Sequence, residues 1–454
     1  MSEVTTLPLP VHEWADLPPD RRQSLIERRA TALKMFDSEL RESVLRIIED
    51  VRENGDDAVV RATHEFDGVE LRPGELEVGE REIEKARAQV GDALLAAIRN
   101  AIDHVRRFNE RALAAREWRF ELDPGLVVGE RVTPIVSAGL FVPSGKGSFP
   151  SVLVQLGTPT VVAGVPEVIV VVPPLPDGGV DPGVLAVASE LGLQHVFRAN
   201  GPAGVAAMAL GTERIPKVVK LVGPGSPAVA TAQIECQRFG CVTNMLLGPS
   251  ESLILADRTA DLELLAADLL NEAEHGPDSA SVLVTWDREL VDEVQAPLAR
   301  RLAELPEPRR SYAAAALRNG GAILVADAEQ GAAVANLYAP EHMQVVVAEE
   351  GEEELLGQLE HAGEVLIGRW TPISAANYVL GIPAALPTGR YARVSSGITV
   401  ETFVKRSSLA KASRRTLASL STSILALAEH EGFPAHAATV RARSTDDTDP
   451  RGQT

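Results

Sequence analysis

The chain has 454 residues, too many for a single hydrophobic core, so we expect two large domains with smaller segments attached. Hydrophobic residues make up 45% and charged residues 24% of the chain, as in an ordinary globular protein. The formal net charge of −20 argues against nucleic acid and anionic membranes as partners. It does not argue against a small anionic substrate, since a local group of arginines can override the global charge.

The cysteine content and the apolar stretches indicate a reducing, aqueous environment. Cys236 and Cys241 are too few for a disulfide framework or a paired-cysteine zinc site, and we expect free buried thiols. The N-terminus lacks the basic start and apolar run of a secretory signal. No stretch reaches the roughly 18 uninterrupted apolar residues of a membrane span. These features predict a cytoplasmic protein that does not bind membranes.

The N-terminal quarter of the chain is predicted to be an arm followed by helices. The first residues are rich in proline and lack a helical period, which indicates an arm over residues 1–24. Beyond it, apolar residues such as Val44 and Ile48 recur at spacings of three and four, which predicts helices. A glycine followed by two aspartates, at Gly55, predicts a break within them.

An alternation of strands and helices follows. Short β-branched runs at 134–142, 168–172 and 218–222 each end at proline or glycine, and helical Ala- and Leu-rich stretches lie at 182–193 and 203–210. Strand, turn and helix repeated in this way predict a parallel α/β unit. Ligands of such sheets bind outside the carboxyl ends of the strands, so we expect a site there.

A second α/β stretch begins near residue 252. Its short apolar runs lie at 252–256, 281–285, 322–325 and 345–347. The stretch 410–431 is rich in Leu and Ala at helical spacing, which predicts a C-terminal helix. The polar residues 442–454 are predicted to be a disordered tail.

Two short motifs carry the candidate chemistry. Glu272 and His275 are three residues apart, a spacing that puts both side chains on one face of a helix and allows them to bind one metal ion. Glu341 and His342 follow Pro340, and an adjacent carboxylate and imidazole can share general acid and base work. Taken alone, each motif is more often a pair of solvated surface residues.

Other local signals are weaker. His361 follows Glu360 and an acidic run, so we expect it on a solvated helix face. Glycine-containing steps at 145–147, 223–226 and 248–251 follow apolar runs and could bring backbone N–H groups near a cofactor. They match no nucleotide-binding fingerprint, and by themselves they predict only turns after strands.

Taken in order, the motifs of this chain resemble the histidinol dehydrogenase family from about residue 20 to residue 440. The stretches that carry the resemblance are FVPSGKGSFPSVLV, GTERIPKVVKLVGPG, GPSESLILAD, AEHGPDSASVLVT, NLYAPEH, GRWTPISAANYVLGIPAALPT and EGFPAH. That family oxidises an amino alcohol to a carboxylate through an aldehyde, using NAD and a zinc ion in each subunit. It forms an intertwined homodimer with shared active sites. The resemblance implies the same cofactors and assembly here.

The resemblance also implies an architecture. We expect an α/β fold with two Rossmann-like parallel-sheet domains, a small N-terminal arm and a small helical C-terminal domain, intertwined in a dimer. The implied segments are an arm (1–24), a discontinuous first α/β domain (25–139 and 252–398), a second, NAD-binding α/β domain (140–251), a C-terminal dimerisation domain (399–441) and a tail (442–454).

Catalytic and substrate-binding roles follow from the same resemblance. His342 falls on the position of the family's general base. Glu341 falls on the carboxylate that activates water in the second oxidation. Ser250 and Glu431 fall on positions that contact the substrate. Because Glu431 belongs to the C-terminal segment, the resemblance implies that it reaches the active site of the partner subunit.

The zinc ligands match the family only in part. His275 and His436 fall on its two histidine ligands, and His436 would reach the partner's site. The family's glutamine ligand is replaced by Glu272, and its aspartate ligand is replaced by Asn377. The exchange leaves one carboxylate and one amide, so the charge of the ligand set is unchanged. We therefore expect zinc to be retained, with Glu272 as the anionic ligand.

The substrate pocket departs further from the family. Where the family has an Asn-His-Val-Leu-Pro-Thr segment whose histidine contacts histidinol, this chain has Pro-Ala-Ala-Leu-Pro-Thr at 383–388. Loss of that hydrogen-bond partner argues against histidinol as the substrate. Arg390 and Arg393 lie nearby and could bind an anionic group such as a carboxylate, sulfonate or phosphate. The alternative is that both arginines belong to a surface loop.

The NAD-contacting positions differ as well. The family has Tyr, Gln and Asn where this chain has Phe141, Ala203 and Ser226. We expect these residues to contact NAD, with Phe141 retaining the ring but not the hydroxyl.

Three hypotheses follow. The first is a zinc- and NAD-dependent alcohol dehydrogenase with a substrate other than histidinol, such as a polyol, a hydroxysulfonate or another amino alcohol. The second is a true L-histidinol dehydrogenase of histidine biosynthesis with an unusual pocket. The third is a non-catalytic binding paralogue, against which the intact Glu341-His342 pair argues.

Overall fold

The computed structural model describes residues 9–28, 37–113, 115–144, 147–243 and 248–444. Three predictions fall in part outside the described residues. They are the arm at residues 1–8, the turn at residues 145–146 and the tail at residues 445–454. Within these ranges, every helix is too short or too polar to cross a membrane. Cys236 and Cys241 are free and buried, as expected.

Strands and helices alternate over most of the chain. Strands β1 to β13 are Val11–Glu13, Glu117–Asp123, Leu126–Pro134, Ser137–Phe141, Glu167–Val172, His195–Arg198, Lys220–Val222, Glu251–Ala256, Ala280–Thr285, Gly321–Leu324, His342–Val346, Glu364–Ile367 and Val404–Ala412. Helices α1 to α16 are Pro19–Glu27, Ser38–Asp67, Glu80–Gln89, Asp92–Ala112, Pro150–Ala163, Pro182–Leu191, Gly201–Leu210, Pro227–Cys236, Leu262–Asn271, Arg288–Glu304, Arg309–Asn319, Ala328–Tyr338, Glu349–Leu356, Ile373–Tyr378, Arg414–His430 and Pro434–Ser444.

The larger of two compact units comprises the described residues within 1–112 and 135–403. It contains a six-stranded parallel sheet in the order β1-β10-β9-β8-β11-β12. Every residue of β8 and β9 is buried, as the continuous apolar runs predicted, because parallel sheets are covered on both faces. The edge strand β1 lies within the predicted N-terminal arm, so part of that arm is integral to the sheet.

The same unit contains a four-stranded parallel sheet in the order β6-β5-β4-β7. Helix α2 packs against it, burying Val44 and Ile48 in one core with Ile169 and Val171. The sequence had grouped residues 25–139 with the other sheet, so the chain is divided differently from the prediction. The spacing of apolar residues shows which helix face is buried, but not which sheet it covers.

The predicted break in the N-terminal helices is confirmed at Gly55. Its φ of 52° and ψ of −131° interrupt helix α2, which otherwise runs from Ser38 to Asp67. A side chain at this position would meet the carboxylate of Glu213, and positive φ is open to glycine at little cost.

The smaller unit comprises the described residues within 113–134 and 404–454. It contains an antiparallel sheet in the order β13-β3-β2, together with helices α15 and α16. The prediction of a small helical C-terminal domain over 399–441 is therefore wrong in its first part. Residues 404–412 pair with 126–134 as a strand, and the helix begins at Arg414.

Candidate active site

The candidate catalytic residues lie at the amino ends of adjacent parallel strands. Glu251, His342 and Glu364 are the first residues of β8, β11 and β12, and His342 is in register with Glu364. The carboxyl-end site predicted from the sequence concerned the other parallel unit, at 134–222, so these residues form a separate site. Every residue of β8 is buried, and its one charged residue, Glu251, stands where the chain enters the sheet.

His342 is buried and surrounded by carboxylates. Its Nδ1 lies 2.5 Å from Oε1 of Glu364, and its side chain is 3% exposed. Its Nε2 lies 3.7 Å from Oε1 of Glu341 and 3.9 Å from Oε2 of Glu272. Burial alone would lower the pKa of this imidazole, but the surrounding negative charges outweigh burial and raise its pKa to about 10.

Glu341 is held beside this imidazole by a tight turn. The residue before Pro340, Ala339, adopts left-handed backbone geometry with a φ of 48°, which ends helix α12. The backbone N–H of Glu251 donates to Oε2 of Glu341 at 3.1 Å. Burial raises the pKa of the Glu341 carboxyl to about 8. The carboxyl can therefore exchange a proton near neutral pH.

Glu272 brings the two predicted motifs together. It caps helix α9 and is fully buried, with its Oε1 accepting hydrogen bonds from Asn271 at 2.8 Å and from Asn377 at 2.9 Å. Oε2 lies 2.9 Å from Nδ1 of His275, an ion-pair distance, yet accepts no hydrogen bond from the residues that the structure describes. Burial would raise the pKa of Glu272, but the charges of His275 and His342 lower it.

His275 also contacts Ser250, whose hydroxyl lies 3.1 Å from the same Nδ1. The side chain of His275 is 42% exposed, so one side of the ring faces the surroundings. The charge of Glu272 raises the pKa of His275. The larger unit thus brings together four predicted site positions, 250, 272, 275 and 377, with the Glu341-His342 pair.

Glu431 and His436 lie in the smaller unit. Both are exposed there, and the ring of His436 lies 5.0 Å from that of Phe433. In the part of the chain that the structure describes, no group of three His, Cys, Asp or Glu side chains is arranged to hold a metal ion. The larger unit by itself supplies three of the four predicted zinc ligands, Glu272, His275 and Asn377.

A buried ion pair holds Glu251, the residue whose backbone N–H binds the carboxylate of Glu341. Arg28 pairs with the carboxylate of Glu251, and both side chains are almost fully buried. The guanidinium carbon of Arg28 lies 4.5 Å from the ring centre of Tyr338, and Gly389 N–H donates to Glu251 at 2.9 Å. Because the backbone N–H of Glu251 binds Glu341, this pair fixes one wall of the site.

Removal of that ion pair should destabilise the fold. Arg28→Ala leaves the Glu251 carboxylate buried without its cation, so we expect a loss of about 3–5 kcal/mol in the free energy of unfolding by urea denaturation. The control is Arg41→Ala, since Arg41 pairs with Glu235 at 2.5 Å with its side chain 57% exposed, and we expect no measurable change. A stability of Arg28→Ala equal to that of the control would contradict the prediction.

The predicted anion-binding arginines lie in one loop. Arg390 is half-buried, has a φ of 68°, and donates from Nε to the carbonyl of Leu337 at 3.1 Å. Arg393 is exposed. Burial and the charge of Arg393 lower the pKa of Arg390. The loop is therefore basic, and one of its two guanidinium groups is partly engaged by a backbone carbonyl.

The predicted NAD-contacting residues lie at the carboxyl end of the four-stranded sheet. Phe141 ends β4, Ala203 is in the first turn of α7, and Ser226 caps α8 by accepting from Val229 N–H at 3.4 Å. Phe141 is 2% exposed and Ala203 is fully buried, so neither side chain has surface for a cofactor. Ser226 is exposed, and contact with NAD at all three positions stays a prediction.

Comparison with known proteins identifies the family. The sequence pattern described as histidinol dehydrogenase matches residues 31–444. This chain belongs to the histidinol dehydrogenase family. The family consists of NAD-dependent oxidoreductases that act on CH–OH groups, and it uses NAD and zinc. The resemblance seen in the sequence is thereby confirmed.

Individual members share most of the chain. A protein named histidinol dehydrogenase homolog from Cereibacter sphaeroides is 42% identical over 93% of this chain and 95% of its own length. One named histidinol dehydrogenase from Methanosarcina mazei is 38% identical over 88% and 91%. The crystal structure of histidinol dehydrogenase from Elizabethkingia anophelis superposes with a TM-score of 0.89 at 31% identity, covering 96% of this chain and 97% of that one.

Sequence reasoning missed three residues of this family member's site: Arg28, Glu251 and Glu364. Glu251 stands inside the matched GPSESLILAD stretch and could have been singled out as a carboxylate next to Ser250. Arg28 and Glu364 gave no local signal. The strand that begins at Glu364 was not predicted at all, because its run of four residues is too short for a clear pattern.

Proposed function

We propose that this family member oxidises a primary alcohol to an aldehyde and then to a carboxylate, with NAD as hydride acceptor and zinc bound. The observation that carries the proposal is the buried cluster in which Nε2 of His342 faces the carboxylates of Glu341 and Glu272. Such a cluster costs free energy to bury, and proton transfer is a function that would maintain it. A non-catalytic paralogue has no need of it.

In each of the two oxidation steps, one protein side chain accepts a proton. With zinc bound at Glu272, the negative charge that raises the pKa of His342 would be offset, so that the neutral imidazole is available. In the first step Nε2 of this neutral ring would take the hydroxyl proton as the hydride leaves for NAD⁺, which gives an aldehyde and NADH. In the second step Glu341 takes a proton from water as the water oxygen bonds to the aldehyde carbon. The hydride of the resulting hydrate would go to a second NAD⁺, which leaves a carboxylic acid, and the acid loses its proton to the solvent to give the carboxylate. The raised pKa of Glu341, about 8, suits this exchange.

The residues present fit a zinc ion in the chemistry of their donors. Glu272 and His275 supply a carboxylate and an imidazole, Asn377 supplies an amide, and the remaining imidazole would be His436 of a second subunit. The buried Oε2 of Glu272, which accepts no hydrogen bond from the described residues, supports this assignment. When bound, zinc supplies a Lewis acid that lowers the pKa of an alcohol. An intertwined homodimer is part of the proposal.

We propose a substrate other than histidinol. The segment 383–388 contains no histidine, and its Ala385 and Leu386 side chains are buried, so the segment offers no imidazole to a substrate. The basic loop carrying Arg390 and Arg393 favours an alcohol with an anionic group, such as a hydroxysulfonate, over a cationic amino alcohol. A polyol is the uncharged alternative.

A substrate screen tests this proposal. Purified zinc-loaded protein and NAD⁺ are mixed with histidinol, small diols, hydroxycarboxylates and hydroxysulfonates, and NADH is followed by absorbance. We expect kcat/KM for histidinol to be lower than for the best alcohol by at least about tenfold to 100-fold, the cost of one lost hydrogen bond. Deoxy analogues that lack the primary hydroxyl serve as matched controls and should produce no NADH.

Two outcomes would contradict the proposal in different ways. Histidinol as the best substrate would favour the true biosynthetic enzyme, a reading to which the relative named histidinol dehydrogenase gives some support. No NADH with any alcohol, together with no stoichiometric zinc, would favour a non-catalytic paralogue.

A further inference from the structure

We infer that Glu364 is a positioning residue for the general base, holding the His342 ring through a hydrogen bond at Nδ1 so that Nε2 is presented to the substrate. The inference rests on the proposed function for its catalytic consequence. The family resemblance implies no role for position 364, and the assignment rests on the geometry around His342.

The backbone brings the two residues together. Strands β11 and β12 are parallel, with His342 opposite Glu364. The N–H of Gly363 donates to the carbonyl of Pro340 at 3.0 Å, and the N–H of Glu364 donates to that of Glu341 at 3.1 Å. A side chain at position 363 would collide with the Glu341 carbonyl, so glycine permits this close approach. These contacts fix the backbone of Glu364 relative to the backbone of Glu341 and His342.

The side-chain contact is short and enclosed. Oε1 of Glu364 lies 2.5 Å from Nδ1 of His342, and the two side chains are 4% and 3% exposed. Oε2 of Glu364 accepts no hydrogen bond from the part of the chain that the structure describes. The carboxylate therefore has one evident partner, the imidazole, and water has little access to loosen the contact.

The chemical consequence follows from the two nitrogens of an imidazole. When Nδ1–H donates to a carboxylate, the tautomer is fixed and the lone pair of the neutral ring is on Nε2. In this structure Nε2 is the nitrogen that faces Glu341 and Glu272. A buried carboxylate behind a base also stabilises the cation that forms when the base takes a proton. Glu364 acts on the reaction only through His342.

A purely structural role is the alternative, because any buried polar pair contributes to stability. Asp268 offers a matched control. Its Oδ2 accepts a hydrogen bond from Gln344 at 3.0 Å, on the same strand as His342 but two residues further on. Asp268→Ala breaks a part-buried polar contact to β11 without touching the imidazole.

The test combines steady-state kinetics with a double-mutant cycle. We expect Glu364→Ala to lower kcat about 10-fold to 100-fold, with KM for the alcohol and NAD changed less than about threefold. Glu364→Gln keeps an acceptor oxygen and should recover part of that loss. In a His342→Ala background, Glu364→Ala should cause no further decrease in kcat, since the residue through which it acts is gone. Asp268→Ala should retain the parent kcat.

A crystal structure of Glu364→Ala supplies a readout besides activity. We expect the imidazole of His342 to be rotated or displaced relative to the parent protein. The inference is overturned by a parent-like kcat in Glu364→Ala, by an equal loss in the His342→Ala background, or by an unmoved ring. If the parent protein oxidises no alcohol, the proposed function fails, and the ring position still decides the positioning role.

Discussion

Replacement of His342 by alanine is expected to lower kcat for the alcohol by about 10²-fold to 10⁴-fold, the usual contribution of a general base. The side chain is 3% exposed, and of its two ring nitrogens Nε2 is the one that faces both Glu341 and Glu272. The measurement is NADH formation with the best alcohol from the substrate screen.

The chain offers a matched control for this variant. His361 also follows a glutamate directly, with its Nε2 3.9 Å from Glu360, but its side chain is 33% exposed and lies outside the cluster. His361→Ala should retain the parent kcat. His342→Asn, which keeps a polar side chain among the carboxylates, separates loss of the base from loss of the fold. Parent-like turnover in either His342 variant would refute the assignment of the general base.

The second large effect is expected at the exchanged metal ligands. Glu272→Gln removes the carboxylate from the proposed zinc set and leaves two amides, so we expect zinc affinity to fall by at least about 10-fold to 100-fold. Asn377 already donates to Glu272 at 2.9 Å, so the two positions are in direct contact. The double variant Glu272→Gln, Asn377→Asp restores one carboxylate and one amide, and should recover much of the affinity.

Zinc content after purification and competition with a chelator measure this effect without any turnover. Glu274→Gln is the control, because Glu274 is in the same short helical segment, Ala273–His275, but among the described residues its carboxylate makes no hydrogen bond or ion pair with His275 or Asn377. Glu274→Gln should bind zinc like the parent. A Glu272→Gln variant with undiminished zinc, or a double variant no better than the single one, would show that Glu272 is not the anionic ligand.

The two predictions depend on different kinds of information. The adjacency of Glu341 and His342, and the spacing of Glu272 and His275, are local, so the sequence revealed both pairs. That these pairs form one cluster could not be read from spacing. Residue 272 approaches 342 because β8 and β11 are neighbours and α9 follows β8, and strand order depends on packing across the whole sheet.

By itself the sequence determined the α/β class, most buried strands, the break at Gly55 and membership of the histidinol dehydrogenase family. These rest on local patterns of burial and on ordered motifs. Tertiary structure alone decided that the site is at the amino ends of the strands, that Arg28 supports Glu341 through Glu251, and that Glu364 lies behind His342. The physical reason is register: residues 22 positions apart come within 2.5 Å only when two particular strands pair at one particular offset.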